Sequence, residues 1–149
     1  MHPFDLKSAA LAKHAQHVVL IHFPIALYLT SVMFDFVAQW TRNRTLAAVA
    51  YYNLLIAAIS CVPAMATGLM AWRWQVEGQR LKGVPLEHLV LGVVSCSLIW
   101  LVWWLQFRHR RQPSQGMPLY RLPIEMLAAV LVALTAHLGG FLSGVNGPA

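Results

Sequence analysis

Polar residues interrupt this chain in only a few places, and four long apolar stretches run between them. They cover roughly 18–40, 46–72, 86–107 and 122–143. About 20 mostly apolar residues cross a bilayer as a helix, and each stretch reaches that length. Arg42 and Arg44 close the first, the run Arg108-His109-Arg110-Arg111 closes the third, and Pro113, Gly116 and Pro118 mark the connection that follows. An open strand would leave backbone groups unpaired in hydrocarbon, so the spans are read as helices. Short connections make sequence neighbours antiparallel. The pattern predicts an all-α fold, an integral membrane up-down four-helix bundle forming a single domain over 1–149.

Composition supports this reading. The chain is 58% hydrophobic and 11% charged, with mean hydropathy +0.58; a soluble domain carries about 25% charged residues. A pI near 9.9 would suit nucleic acid. The basic residues, however, lie in the connections, where Lys and Arg set membrane topology. The expected partner is therefore the lipid bilayer, and no nucleic acid is expected. No cleavable signal peptide is evident before the first span, which is expected to stay as a signal anchor. Cys61 and Cys96 fall mid-span and read as packed thiols.

Direction follows from the four crossings. The end holding the N-terminus is side A, and the opposite end is side B. His2, His14, His17 and His22 belong to the start of helix 1, His88 to the start of helix 3 and His137 to the end of helix 4. All six lie toward side A, and only His109 lies at side B. Side B carries Arg42, Arg44, Arg108, Arg110, Arg111 and Arg121 with no acid in either connection. That bias makes side B cytoplasmic. The expected location is a bacterial inner membrane, multi-pass, with both termini periplasmic.

Candidate chemistry comes from the ionisable groups inside the spans. An ionisable side chain in hydrocarbon is costly and is usually kept for a job, and imidazole is a common ligand for haem iron and transition metals. His22, His88 and His137 come from three helices at a similar depth. Gly92 and Ser95 share the face of His88, and Ala26 and Leu29 that of His22, which would leave space for a flat ring. On helix 2, Asn53, Ala57, Ser60, Ala64, Thr67 and Ala71 form a face of small residues suited to close helix packing. Gly140 and Gly144 make a further small-residue pair. Asp35 and Glu125 are the acids inside spans toward side B. They are candidates for a proton or quinone contact, or are carboxyls kept neutral or bonded to a partner such as Asn53. Pro24 is placed to bend helix 1 just beyond His22.

At His17-Val-Val-Leu-Ile-His22-Phe-Pro-Ile-Ala-Leu27 the sequence resembles the small bacterial membrane domains known as domain of unknown function 2231. Asp35, the Thr67-Gly68 step, His88 and the Gly139-Gly140 pair also match the pattern of that family. Val18 stands where the family has proline, and Asn146-Gly147 stands where it has a His-Gly pair. The resemblance covers nearly the whole chain. It implies a four-helix membrane domain found near respiratory or cytochrome genes, and no established activity.

Three functions compete on these residues. In the first, the chain is a membrane electron-transfer subunit carrying haem b near the periplasmic face. His22 and His88 are its axial iron ligands, and His137 and His17 serve a second haem or anchor a propionate. Its partners would be a quinol and a periplasmic cytochrome or larger complex. In the second, the imidazoles bind copper or zinc. In the third, the chain is a structural anchor without a cofactor. A soluble-type enzyme is not indicated, since no nucleophile triad, phosphate loop, zinc-protease motif or Cys-x-x-Cys is present.

Overall fold

The computed structural model describes residues 13–75, 77–78, 80–111 and 120–143. Within them lie four helices: α1 Lys13–Thr41, α2 Arg44–Gln75, α3 Val84–Arg111 and α4 Arg121–Leu142. All four are long and apolar enough to cross a membrane. The chain is thus an all-helical four-span bundle, as the hydropathy pattern predicted.

The first three helices are longer than their apolar stretches, because polar residues at the ends continue the backbone pattern into the interface. This matters most at α1, which begins at Lys13, so that His17 lies inside the helix rather than before it. Helix α1 runs unbroken through Pro24, and α2 through Pro63. Only Arg42 and Asn43 separate α1 from α2. Arg42 takes a left-handed conformation with φ 53°. Asn43 then caps α2, its Oδ1 accepting from Thr45 N–H at 2.9 Å and Leu46 N–H at 3.2 Å, which satisfies donors that a helix start leaves open.

Helix α1 packs along α2, and α3 along α4; thinner seams join α2 to α3 and α1 to α4. The helices α1 and α3 therefore stand on a diagonal. On α2 the residues Ala50, Ala57, Ala64 and Ala71 are all buried. They recur at heptad spacing, the repeat that keeps one seam against a neighbouring helix. Asn53, Ser60 and Thr67 flank that seam half-buried. The core is completed by Tyr28, Leu54, Ala58, Cys61, Ile99, Val102, Ala128 and Val132, with Cys96 packed against it. Both thiols are free. Large apolar side chains such as Phe23, Phe36, Ile59, Val62 and Leu134 cover the exterior. A seam of small residues between helices, with large apolar groups turned outward, is what helix packing in lipid favours.

Candidate functional site

Two histidines meet at the side A end of the bundle. His17 on α1 and His88 on α3 place their ring centres 6.4 Å apart with planes at 82°. Both line one cavity of about 280 Å3, whose walls include Gly68, Gly92, Ser95 and Gly139.

Each ring is held on its Nδ1 edge by the neighbouring helix. His88 Nδ1 lies 3.0 Å from the backbone oxygen of Thr135 on α4. A carbonyl only accepts, so Nδ1 carries the proton and donates. His17 Nδ1 lies 3.2 Å from Thr67 Oγ1 on α2. That hydroxyl spends its one proton on the carbonyls of Pro63 and Ala64, at 2.8 and 3.0 Å. It therefore accepts from His17 Nδ1–H. In both rings the lone pair is left on Nε2, the state of a ligating imidazole whose other nitrogen donates to an acceptor.

Glycine makes room for each ring. A Cβ on Gly68 would come within 2.9 Å of His17 Cε1, and one on Gly139 within 3.1 Å of His88 Cε1. The two halves repeat. His17 rests on Gly68 across the α1–α2 hairpin, and His88 on Gly139 across the α3–α4 hairpin. The intervals are the same, since 88 − 17 = 139 − 68. Each hairpin thus brings one imidazole, one glycine seat and one oxygen acceptor to the same layer.

The expected pairing of His22 with His88 is not the one the fold makes. His22 is exposed, and its Nδ1 donates to the Val18 carbonyl of its own helix at 2.6 Å. Ala26 and Leu29, which share its face, are exposed too. The space expected beside His22 therefore faces outward, as α1 turns its His17, Ile21, Pro24, Tyr28 face to the interior. His137 is exposed and sits edge-on to Phe141 at 5.0 Å. Gly92 and Ser95 do line the cavity beside His88, and Ser95 Oγ lies 3.1 Å from Thr135 Oγ1. Among the described residues no three His, Cys, Asp or Glu side chains come together to hold a metal ion. His2, Gly144 and Asn146-Gly147 lie outside the described residues, as does the side chain of His14.

At the opposite end, Asp35 and Glu125 are joined through a third residue. Arg121, counted above among the topology-setting charges of side B, is only 3% exposed. Its guanidinium pairs with Asp35 and, through Nε, donates to Glu125 Oε1 at 2.6 Å. Asp35 also accepts from Gln39 Nε2 at 2.6 Å. Its partners are thus Arg121 and Gln39 rather than Asn53. The sequence held a clue in that Arg121 begins an apolar run and precedes Glu125 by one helical turn.

Residues 13–147 match the family described as predicted membrane protein, DUF2231. The chain belongs to that family. No curated protein and no solved structure matches it. The match places α1 through α4 within the family domain, including His17, Gly68, His88 and Gly139.

Proposed function

We propose that the chain is a haem b-binding electron-transfer subunit of the bacterial inner membrane, with His17 and His88 as the axial ligands. The observation that carries this reading is the pair of adjacent imidazoles, set at 82° to each other, each held through Nδ1 and each seated on a glycine. A metal held by Nε2 of both rings, at about 2 Å from each nitrogen, would set the ring centres roughly 6 Å apart. The separation of 6.4 Å suits that arrangement. Two donors from diagonal helices also fit haem better than a bare ion. Haem needs only axial ligands from the protein, whereas zinc is bound almost always by four ligands in structural sites and by three protein ligands in catalytic ones.

The residues present would hold the group as follows. His17 and His88 bind the iron, Thr67 and the Thr135 carbonyl fix their tautomers and orientations, and Gly68 and Gly139 keep the rings seated. Two neutral imidazoles supply one-electron chemistry without binding oxygen. The exposed Arg42, Arg44, Arg108, Arg110 and Arg111 at the other end support a periplasmic placement of the histidine layer. Quinol on the membrane side and a periplasmic cytochrome or larger complex on the other are the partners this placement suits.

The test is a reduced-minus-oxidised visible spectrum of the protein purified in mild detergent. A sharp low-spin band is expected, lost in His17→Ala and in His88→Ala but kept in His22→Ala and His137→Ala. No chromophore overturns the haem reading. Stoichiometric copper or zinc in its place would support a metal module, and neither would leave an anchor subunit. A band lost in His22→Ala and His88→Ala but kept in His17→Ala would restore the His22–His88 pair.

A further inference from the structure

The side B end of the bundle buries three ionisable groups together. Asp35 is 5% exposed, Arg121 3% and Glu125 1%. Two carboxyls share one guanidinium, so the fully ionised set would carry a net negative charge inside the membrane. An uncompensated charge there is expensive, and a buried group sheds it by changing protonation. The question is which group holds the proton.

The hydrogen bonds decide it. Arg121 Nε at 2.6 Å and Gln106 Nε2 at 3.1 Å both donate to Glu125 Oε1. Glu125 Oε2 is buried and has no hydrogen-bond partner. A carboxylate spreads its charge over both oxygens, and a bare buried oxygen is the costly outcome. A carboxylic acid keeps both donors on its carbonyl oxygen, Oε1, and leaves Oε2 as a neutral hydroxyl, which costs less to leave unbonded than a charged oxygen. Asp35 accepts from Gln39 and pairs with Arg121, as an ionised group does. Among the described residues no second cation pairs with either carboxyl. From α1, the Tyr28 hydroxyl donates to the Glu125 carbonyl at 3.0 Å. On α2, Arg44 is exposed, and the ring of Tyr51 is covered by Arg110 of α3 at 4.0 Å.

We propose that Glu125 is a proton-binding group, carrying one exchangeable proton on Oε2 within the membrane. The equilibrium is that of one acid, Glu125–COOH giving Glu125–COO⁻ and a proton, with the Asp35–Arg121 pair unchanged. It does not rest on the haem reading. Asp35 and His17 lie on one helix, about 27 Å apart at 1.5 Å of rise per residue, too far for the two ends to share a group.

Infrared spectroscopy of the full chain, reconstituted in lipid at neutral pH, tests this. A protonated carboxyl stretch is expected. It should move down in protein grown with ¹³C-labelled glutamate, move again in D2O, and vanish in Glu125→Gln. The double variant E77Q/E87Q removes the two exposed glutamates and should keep the band, so the assignment stands even if the Glu125 variant does not fold. Absence of the band overturns the proposal. So does a band untouched by the glutamate label, which would put the proton on Asp35. A band that ignores D2O would show a locked proton and overturn it equally.

Discussion

His88 occupies the space that a Cβ on Gly139 would need, its Cε1 standing 3.1 Å from that position. The contact links α3 to α4 at the level of the cavity, and His17 repeats it on Gly68 at 2.9 Å. A glycine inside a helix is about 1 kcal/mol less favourable than alanine. Two such positions under two imidazoles are therefore better understood as seats than as accidents of composition.

Gly68→Ala and Gly139→Ala should leave the bundle folded, because each clash is with a ring that can turn away. The helix itself gains up to about 1 kcal/mol from alanine. The imidazole moves, however, and cofactor binding should fall, more in Gly68→Ala, where the approach is closer. Circular dichroism should stay unchanged while the haem band per protein drops. A full band in both variants would remove the seats from the site.

Thr67→Val deletes the hydroxyl that receives His17 Nδ1–H while keeping the side-chain shape. An unsatisfied buried donor costs roughly 1–3 kcal/mol. Thr135→Val leaves the backbone carbonyl that holds His88 in place and removes the hydroxyl's contacts with Ser95 and the Leu131 carbonyl. Cofactor affinity should therefore fall clearly in Thr67→Val and little in Thr135→Val. A titration giving equal losses would contradict the hydrogen-bond assignment.

Arg121→Met should be the most damaging single change at side B. Removing one partner of a buried ion pair costs about 3–5 kcal/mol, because the other charge is left behind. Here two carboxyls lose their common cation. Combining Arg121→Met with Asp35→Asn should recover much of the loss, since the remaining Glu125 is neutral on the reading above. Thermal unfolding in detergent compares the two. If the double variant is no better than the single one, the charge balance proposed for the cluster fails.

Asn43→Ala tests the tightest connection. It removes both cap bonds to Thr45 and Leu46 beside the left-handed Arg42. A lost cap costs about 0.5–2 kcal/mol. The unfolding temperature should fall by a few degrees, with the cavity and any bound chromophore unaffected, since the cap lies at the far end from His17.

Helix number, direction and the crowding of histidines toward side A were all legible along the chain, because lipid imposes a simple length and polarity rule on each span. Which two imidazoles meet was not. His17 looked like a boundary residue because hydropathy, which defines the apolar stretch, does not mark where the helix begins. The heptad line His17, Ile21, Pro24, Tyr28, Ser31, Asp35 was present, and its lower members are buried. His22 lies off that line and faces outward. The Thr67-Gly68 and Gly139-Gly140 steps were visible as family matches, but their role needed the neighbouring helix to be seen. Arg121 was hidden for the opposite reason: a charge at a span end reads as topogenic until its partners appear.

By itself the sequence determined that four apolar rods cross a membrane in alternating directions, since continuous apolar stretches of this length satisfy their own backbone groups in lipid as helices. It could not say which face of each rod turns inward. That was decided by packing between helices: α2 presents its alanine seam, α1 turns with it, and His17 rather than His22 is carried to His88. Rotation about a helix axis costs little for an isolated span in lipid, so only contacts among all four helices fix it.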